Sequence, residues 1–585
     1  MTANEQDEPS ADTMADSDAA VAADMSVDPV AKPPQTKQTS VARSAGIVSI
    51  AVMFSRVLGL VREQIFAYYF GAGFLYDAYV VAFRIPNVLR DLFAEGALSA
   101  AFVKVFTDYQ INKSEKEAWH LASLVINALA VVLSVICIVG VIFSRQFVDL
   151  VADGFSPEKA ALATTLTQIM FPFILLVALA AVAMGVLNTK GVFGIPASAS
   201  TVFNLVSIVF GLGSAYWLSG GGWFSSADKN AIPGEAAQWA IIGMAIGTLI
   251  GGASQFLMQI PSLYKVGFRF SPILSFTDEG VKRVMSLMTP AILGTSAVQI
   301  NVLINTYFVS GIEGAQGWLS FSFRLMQFPI GLFGVAVGTA AIPVLSRLAS
   351  QGKTGEFRST LSSSISLVFL MTIPAACGLI VLGEPIVRLI YQHGRFDANA
   401  TSMTALALAG YSIGLAGYAA IKVLSPAFYA MNDAKTPMMI AIASIFVNGI
   451  ACYFFREWLS GYGVTPDTPH DYGHAGVALA TSLVALINFV ALLWFMRQKI
   501  ERLNGREIAA SFLRITAAAA VMSAVCYASY YYLDAALGSV SLINRAIEVF
   551  VPIILGGIVF AAAAKVLGVK ELEKAFGTIK RRLAR

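Results

Sequence analysis

Long apolar runs separated by short polar segments dominate the sequence after residue 44. Each run has about 20 residues or more, the length that a helix needs to cross the hydrocarbon core of a bilayer. Membrane strands are about ten residues long and alternate polar with apolar positions, which these runs do not do. The pattern predicts fourteen membrane-crossing helices, with approximate limits 45–70, 75–107, 117–143, 160–187, 196–218, 236–262, 284–310, 316–346, 359–383, 401–426, 436–458, 474–496, 509–533 and 546–568.

Two of these spans, the second and the eighth, are too long for one straight crossing. A long apolar segment fits a bilayer by tilting or by bending. Proline removes a backbone hydrogen bond and is a frequent cause of helix kinks, and Pro86 and Pro329 supply one in each span. We therefore expect a bend or a re-entrant end in both.

The composition agrees with a membrane protein. Hydrophobic residues make up 57% of the chain and charged residues 13%, with a mean hydropathy of +0.69. Soluble domains carry about 25% charged residues. The four cysteines lie in apolar runs and the four histidines are scattered, so no metal-ligand spacing is present. The sequence predicts an all-α polytopic membrane protein with no metal and no cofactor.

The distribution of Lys and Arg predicts the orientation. Residues 1–44 hold eight acidic and three basic residues without an apolar core, which is typical of a disordered tail. If this tail is cytoplasmic, the inner segments hold 26 of the 40 basic residues and the outer loops hold 7. Cytoplasmic loops are enriched in Lys and Arg, so both termini are predicted to be cytoplasmic.

Weak internal similarity at an offset of about 240 residues indicates two homologous halves. Because both halves begin on the same side, they form a parallel repeat of six spans each. The last two spans lie outside the repeat. The matches are Phe83-Arg84 with Phe323-Arg324, Leu92-Phe93 with Leu332-Phe333, Ala100-Ala101 with Ala340-Ala341, Tyr69-Phe70 with Tyr307-Phe308, and Asn188 and Asn204 with Asn432 and Asn448.

Five arginines lie deep within the predicted spans, together with four acidic residues. A charge at this depth costs roughly 2.5–3.5 kcal/mol on insertion scales, so such residues normally face water or a partner. Asp77, Arg84 and Asp91 recur every seven residues and share one helix face, whereas Arg90 lies at another angle and is not expected to be neutralised by it. The arginines are Arg56, Arg62, Arg84, Arg90 and Arg324, and the acids are Glu63, Asp77, Asp91 and Glu95.

The excess of arginine predicts a cationic cavity between the halves, with Arg84 and Arg324 on opposite walls. Arginine binds phosphate through bidentate contacts, so the expected ligand is an anion. Val88 and Phe328, one turn further along, are expected to face the same cavity. The alternative is that every arginine is paired with an acid and only joins neighbouring helices.

Other function classes have weaker support. Gly352-Lys353-Thr354 resembles the end of a phosphate-binding loop, but Arg347 stands where that loop needs glycine. An enzyme acting on a polyprenyl-phosphate lipid would need catalytic residues on the outer loops, where no acidic pair is recognisable. A cation-coupled drug exporter would be expected to carry deep carboxylates without an arginine excess, and the predicted spans 7 to 12 contain no deep acid.

Several sequence runs resemble the MurJ (MviN) family of lipid II flippases, within the multidrug/oligosaccharidyl-lipid/polysaccharide exporter superfamily. The similarity covers approximately residues 45–570. It departs at Asp91, where some relatives have a second arginine, and at Gln327, where a glutamate is seen. The runs are SRVLGLVRE, FGAG-x3-DA, FR-IPN-LR, FAEGALSAAFV, FPFILL, LNT, TPAILG, FR-LMQFP-G-F-VA-GTA and KVLSPAFYA-ND-KTP.

The resemblance implies a transporter of the bacterial inner membrane that breaks no bond. Its expected substrate is lipid II, an undecaprenyl-pyrophosphate disaccharide-pentapeptide, moved to the periplasmic leaflet by alternating access. Expected partners are lipid II, membrane lipids and, as candidates, cell-wall synthesis and division proteins, with no nucleic acid. The expected domains are a tail (1–44), an N-lobe (45–262), a C-lobe (263–500), a lipid-tail groove (501–570) and a basic tail (571–585). The resemblance places substrate binding on Arg56, Arg62, Asp77, Arg90 and Arg324, to which the repeat adds Arg84.

Overall fold

The computed structural model describes residues 36–93, 97–225, 234–462, 464–465, 468–469, 471–539 and 541–573. These residues are almost entirely helical, and the described strands are a two-residue antiparallel pair, β1 (Val464–Thr465) and β2 (Thr468–Pro469). Helices dominate because a helix satisfies its backbone hydrogen bonds internally, as a membrane segment must. The tail residues 1–35 and 574–585 lie outside the described part.

The first half of the molecule runs from residue 36 to residue 265. Its first helix begins at Thr36, so the predicted tail boundary at 44 lies inside a helix. The helices are α1 (Thr36–Phe70), α2 (Phe74–Phe93), α3 (Ala97–Asn112), α4 (Glu115–Ile142), α5 (Ser144–Val151), α6 (Pro157–Met170), α7 (Phe173–Thr189), α8 (Gly194–Leu218), α9 (Gly222–Ser225), α10 (Glu235–Leu257) and α11 (Ile260–Lys265).

The second half runs from residue 279 to residue 499, and two long helices follow it. Within the second half, a π-helical turn at Ile330–Gly334 follows Pro329 and joins α13 to α14. The helices are α12 (Glu279–Val309), α13 (Ala315–Pro329), α14 (Val335–Ser350), α15 (Thr354–Val381), α16 (Gly383–Tyr391), α17 (Ala398–Ile413), α18 (Leu415–Ala430), α19 (Lys435–Ser460), α20 (Gly473–Lys499), α21 (Gly505–Leu537) and α22 (Leu542–Val566).

Each predicted span coincides with a helix or with a helix pair. In the described part of the chain, ten helices are long and apolar enough to cross a membrane, or eleven if the bent pair α17–α18 is one span. The other three predicted spans coincide with α1, α2–α3 and α12, which carry more charged or polar side chains. The fold class is confirmed, and the count of fourteen stays a prediction.

The bends occur at recognisable breaks. The predicted span 75–107 consists of two helices, α2 and α3, whereas α13, the π turn and α14 continue as one long helix. The tenth span bends by 44° between α17 and α18. Pro86 and Pro329 both lie within helical segments, Pro86 inside α2 and Pro329 at the end of α13. In the eighth span the proline therefore precedes a π turn instead of ending the helix.

The two halves repeat the same order of elements. The short amphipathic helix α5 follows the long helix α4, and α16 follows α15 in the same way. Asn204 of α8 donates a hydrogen bond to the Ser55 carbonyl of α1 at 3.1 Å, and Asn448 of α19 donates to Asn305 of α12 at 2.9 Å. The match of Asn204 with Asn448 therefore has a structural counterpart, because each amide joins the fifth span of its half to the first span.

The last two helices associate with the second half. Helices α21 and α22 pack against each other, and α21 also packs along α15. A second apolar core, separate from the main core that both halves share, contains Leu361 and Ile365 of α15 with Ile515 and Ala519 of α21. At one end of the pair, Arg388 of α16 donates a hydrogen bond to Ser539 at 2.7 Å.

Candidate substrate cavity

A cavity of about 780 Å³ lies between the two halves. Its volume is in the upper part of the range for sites that enclose a small molecule, roughly 300–1,000 Å³. The first half contributes α1, α2 and α8 to its wall, and the second half contributes α12, α13 and α17 to α20. A ligand in this cavity would therefore contact both halves at once.

The wall contains five of the six predicted site residues. On α1, Ser55, Gly59 and Arg62 are spaced by four and three residues and so share one helix face. Arg56 adjoins Ser55, and its long side chain also reaches the wall, although it lies six residues from Arg62. The five lining arginines are Arg56, Arg62, Arg84, Arg90 and Arg324.

One face of α2 forms another part of the wall. Phe83, Arg84, Asn87, Arg90 and Asp91 all line the cavity, at the three- and four-residue spacing of a helix face. The neighbouring residue Val88 is 8% exposed and is not part of the wall, so the expectation for Val88 is wrong. The expectation for its counterpart Phe328 holds, because Phe328 lines the cavity.

The guanidinium of Arg62 has unused hydrogen-bond donors. Its Nε and Nη1 atoms are buried and have no hydrogen-bond partner. The guanidinium lies 5.1 Å from the ring centroid of Phe203, close enough for a cation–π contact. A buried donor without a partner is unfavourable by roughly 1–3 kcal/mol, so an anion or a water that accepted from these atoms would recover that energy.

Arg84 extends from the first half to neutral groups of the second. Its Nη1 donates to Thr306 Oγ1 at 2.5 Å and to Gln316 Oε1 at 3.1 Å. Neither partner carries a charge, so the positive charge of Arg84 is not neutralised by them. The residue joins α2 to α12 and α13 and still lines the cavity.

Arg324 pairs with an acid from the opposite half. Its Nε donates to Glu63 Oε1 at 2.5 Å, and its Nη2 contacts the same oxygen. The Arg324 side chain is 41% exposed, whereas that of Glu63 is 6% exposed, so the arginine faces the cavity and the acid lies behind it. The second carboxylate oxygen, Glu63 Oε2, is buried and accepts no hydrogen bond.

Arg90 is also paired, contrary to the sequence expectation. It donates to Asp91 Oδ1 from Nε at 3.0 Å and from Nη2 at 2.6 Å. Gln299 of α12 donates to the other oxygen of Asp91 at 3.0 Å. The prediction treated the two residues as facing different directions, but a long arginine side chain near a helix end can fold back onto its neighbour.

The cavity carries a net positive charge. Five arginines and Asp91 line the wall, and Glu63 lies directly behind it. Within the described part of the chain, Arg56, Arg62 and Arg84 have no carboxylate partner. Among the described residues, the alternative in which an arginine is neutralised by an acid therefore applies to Arg90 and Arg324.

Neutral hydrogen-bonding side chains cover the wall on the second half. Asn305 donates to Thr481 Oγ1 at 2.9 Å, and Asn301 donates to Ser444 Oγ at 3.1 Å. Asn301 Oδ1 is buried and accepts no hydrogen bond. This surface offers amides and hydroxyls next to the arginine-rich surface, so a ligand with both an anionic group and uncharged polar groups would match it.

Asp77, the sixth predicted site residue, lies elsewhere. It is fully buried and accepts hydrogen bonds from the backbone N–H groups of Gly314 at 2.7 Å and Gly317 at 3.0 Å. Lys159 Nζ of α6 also donates to it, at 3.3 Å. Asp77 thus caps the N-terminus of α13, where a carboxylate is stabilised by unpaired N–H groups and the helix dipole. We treat it as a contact between the halves instead of a ligand of the substrate.

Lys159 takes part in the Asp77 contact between the halves, a role that the sequence did not reveal. The predicted fourth span began at residue 160, which left Lys159 in a loop. Ser156 caps α6, so Lys159 lies in the first helical turn and points into the molecule. The Ser-Pro pair that starts α6 could have shown that Lys159 lies in a helix. Its partner Asp77 could not be predicted in the same way, because it is 82 residues away in the chain.

The two halves meet at the end of the cavity where α1 ends and α2 begins. The backbone N–H of Arg395 donates to the Tyr68 carbonyl at 2.9 Å, and its guanidinium lies 3.5 Å from the Trp223 ring centroid. Gly154 N–H donates to Ser310 Oγ at 3.0 Å. We call this the closed end. Wall residues further from it, such as Phe328, are exposed, so the cavity widens toward the end where α1 begins.

Comparisons with known proteins identify the family. The family model described as "Lipid II flippase MurJ" matches residues 66–547, a range that begins after Arg62 and includes the cavity-lining residues from Phe83 to Asn488. The lipid II flippase MurJ of Burkholderia cenocepacia is 36% identical over 77% of this chain and 83% of its own length. The probable lipid II flippase MurJ of Vibrio cholerae is 34% identical over 77% and 82%.

Solved structures agree with this result. A structure of "Lipid II flippase MurJ, inward closed conformation" superimposes with a TM-score of 0.70 and 27% identity, covering 92% of this chain and 99% of that chain. An inward-facing multidrug resistance MATE transporter shares the fold, with a TM-score of 0.60 and 13% identity over 78% of this chain and 98% of that chain. The matched family range and the level of identity show that this chain belongs to the MurJ family of lipid II flippases.

Proposed function

We propose that the protein moves lipid II across a bacterial cytoplasmic membrane by exposing the cavity alternately to its two sides. Lipid II is the substrate named for the family and for its curated relatives. The observation that carries the proposal is the cavity between the halves, in which Arg56, Arg62 and Arg84 have no carboxylate partner among the described residues. The pyrophosphate of lipid II is an anion of the kind that arginine binds in bidentate fashion.

The chemistry of the rest of the head group also matches the wall. A disaccharide with a peptide carries hydroxyl and amide groups, and the second half presents Asn301, Asn305 and Thr481 to the cavity. Hydrogen bonds to such groups would orient the head group while the arginines hold its pyrophosphate. No bond of the substrate has to be made or broken, so the protein acts as a transporter.

The state described by the structure is closed at one end. In the proposed cycle the head group enters from the wide end, and the contacts at the closed end then separate while those at the wide end form. Rigid-body rocking of two repeats about a central site is the general mechanism of such transporters. Because Arg84 and the Arg324–Glu63 pair cross between the halves, a bound pyrophosphate would compete for groups that hold the halves together.

The orientation in the membrane and the last two helices, α21 and α22, complete the proposal. The excess of basic residues on one side supports a cytoplasmic location for both termini. The wide end of the cavity would then face the cytoplasmic leaflet, where the substrate is received. Helices α21 and α22 expose many apolar side chains, and the undecaprenyl chain would remain in the lipid beside them.

Flipping of labelled lipid II in liposomes that contain only this protein tests the proposal. We expect protein-dependent transfer of the label to the opposite leaflet, and its loss in an Arg62→Gln variant. A matched control is Arg145→Gln, because Arg145 lies on the surface and pairs with Asp149 outside the cavity. Transfer by Arg62→Gln equal to that of the unaltered protein, or no transfer by the unaltered protein, would contradict the proposal.

A further inference from the structure

The segment that connects the two halves runs without regular secondary structure from residue 266 to residue 278. It follows α11, which ends at Lys265, and precedes α12, which begins at Glu279. The predicted spans leave these residues in a loop between two crossings. Their contacts with α4 give them a different location.

The segment runs along α4 from Trp119 to Asn127 and then turns back toward Leu121. Near its start, the Phe268 ring packs on Trp119 with 5.9 Å between centroids. In its middle, Asn127 Nδ2 donates to the carbonyls of Ser271 and Ile273, each at 2.7 Å. Just beyond its end, Gly280 lies against Leu121. Trp119 and Asn127 are eight residues apart, which corresponds to about 12 Å along a helix.

The middle of the segment therefore lies beside the apolar part of α4. Asn127 lies inside α4, which is one of the helices long and apolar enough to cross the bilayer. Backbone carbonyls in hydrocarbon need a hydrogen-bond donor, because water is not available to them. The side-chain amide of Asn127 supplies that donor to two carbonyls at once, which explains a polar residue at this position of an apolar helix.

The side chains of the segment alternate between two faces, as expected for extended backbone. Ser271, Ile273 and Ser275 are partly buried against the protein. On the opposite face, Phe270 is 53% exposed, Leu274 is 51% exposed and Phe276 is 50% exposed. Three large apolar side chains thus point away from the molecule, at the depth set by Asn127.

Basic residues flank this apolar face. Lys265 and Arg269 precede it, and Lys282 and Arg283 follow it, all of them exposed. Positive side chains next to a membrane are attracted by anionic lipid head groups. Asp278 and Glu279 lie between the apolar face and Lys282, and Arg283 pairs with Asp108 of α3. Exposed basic residues at both ends match a segment whose ends lie at the head groups and whose middle lies among the acyl chains.

We propose that residues 266–278 form a re-entrant strap whose Phe270, Leu274 and Phe276 side chains insert into the acyl-chain region of the leaflet at the wide end of the cavity. Asn127 holds the strap at this depth by bonding its two carbonyls. The covalent connection between the halves is thereby anchored in lipid as well as on α4. This proposal does not depend on the identity of the transported substrate.

Spin labels on the strap test the location. In a full-length protein without its four native cysteines, Leu274→Cys and Phe276→Cys are labelled with a nitroxide and reconstituted in lipid nanodiscs. We expect collisions with molecular oxygen, which partitions into hydrocarbon, to exceed those with a water-soluble nickel complex. Arg269→Cys is the matched control and should show the reverse order. Dominant nickel collisions at 274 and 276 would overturn the proposal, and so would protection from both reagents, because the face would then be covered by protein.

A second experiment, with substitutions of Asn127, tests whether this residue holds the strap in place. Asn127→Leu removes both donors, so the label at position 274 should shift several-fold toward the nickel complex as the strap leaves the hydrocarbon. Asn127→Gln keeps the amide and should retain most of the oxygen preference. An unchanged depth in Asn127→Leu would show that Asn127 does not hold the strap.

Discussion

Arg62 is the residue with the most direct consequence for an anionic ligand. Two of its guanidinium nitrogens, Nε and Nη1, are buried without a hydrogen-bond partner, and its charge has no carboxylate partner among the described residues. The guanidinium makes a cation–π contact with the ring of Phe203.

Substitution of Arg62 is therefore expected to reduce transport strongly without unfolding the protein. Hydrogen bonds to a charged group contribute about 1.5–3 kcal/mol, which corresponds to roughly ten- to hundredfold in the transport rate. Arg62→Lys keeps the charge but loses the bidentate geometry, and should retain only a small part of the activity. The measurement is the initial rate of lipid II transfer in liposomes at equal protein density. Full activity of Arg62→Lys would show that geometry at this position is unimportant.

The Glu63–Arg324 pair makes a different prediction, because removal of one partner leaves the other alone. Arg324→Gln leaves Glu63 almost fully buried with neither of its carboxylate oxygens bonded, so the melting temperature in detergent should fall. Glu63→Gln/Arg324→Gln should recover most of the melting temperature, since no unpaired charge remains. Transport should be absent from both variants, because each lacks the Arg324 cation.

The two readouts separate stability from function. Recovery of transport in the double variant would show that Arg324 only compensates Glu63. A double variant that melts as low as Arg324→Gln would contradict the pairing itself.

At the scale of elements, the N-terminus of α13 is one of the points where the two halves are joined. Asp77 of α2 accepts from Gly314 and Gly317 of this helix and from Lys159 of α6. Gly314 has a φ of 85°, a left-handed conformation that glycine adopts without strain. The start of α13 is thus shaped to receive a carboxylate from the other half.

Asp77→Asn should weaken the closed end. The amide can still accept a hydrogen bond, but it lacks the charge that compensates Lys159 and the helix dipole, a difference of about 1–2 kcal/mol. We expect a cysteine at Asn87 in the cavity to react several-fold faster with a polar thiol reagent added from the closed-end side. Asp149→Asn, which removes a surface carboxylate paired with Arg145, should leave that rate unchanged.

Removal of the positive charge of Lys159 as well tests whether an unpaired lysine causes the faster reaction. In Asp77→Asn/Lys159→Gln no unpaired buried cation remains, so reactivity from the closed-end side should fall again. Equal reactivity in the single and double variants would mean that Lys159 does not act through Asp77.

The helices and the lining arginines could be predicted from the sequence, whereas their pairings could not. Apolar length determines where a helix crosses a membrane, and the cost of a buried charge identifies Arg56, Arg62, Arg84, Arg90 and Arg324. Partners such as Asp77 and Gly314 are 237 residues apart, and nothing local relates them. The sequence also did not determine which residues of α2 face the cavity. Asn87 lines the wall, whereas its buried neighbour Val88 was expected to do so.

At the scale of the whole molecule, two similar halves enclose one cavity that is closed at one end. The halves also touch near the other end, where α3 packs along α12 and Arg283 pairs with Asp108. Phe83-Arg84 and Phe323-Arg324, matched by the repeat, both lie on the wall. Equivalent helices thus supply equivalent residues from the two halves. A cavity built in this way can open at either end if the halves tilt, and the structure describes one of the two arrangements.

Alternation predicts a pattern of cysteine reactivity. Asn87→Cys and Phe328→Cys line the cavity and should react with polar thiol reagents from the wide-end side in the state described here. A cross-link that holds the opposite state should transfer their reactivity to the closed-end side. Val88→Cys is the matched control, because Val88 adjoins Asn87 but is buried away from the wall.

The assay requires a background without Cys137, Cys377, Cys452 and Cys526. Reactivity of Asn87→Cys and Phe328→Cys from one side only, whichever state is held, would contradict alternation. Reactivity of Val88→Cys as high as that of Asn87→Cys would contradict the position of the wall.

Protection of Asn87→Cys by lipid II is the measurement that tests the central claim most directly, namely that the arginine-lined cavity binds the pyrophosphate head group. Asn87 lies between Arg84 and Arg90 on the lining face of α2, so a bound head group should cover it. We predict that lipid II slows alkylation at this position several-fold, that undecaprenol without phosphate does not, and that the protection is lost in Arg62→Gln. Alkylation that is unaffected by lipid II, or slowed equally by undecaprenol, would contradict the account.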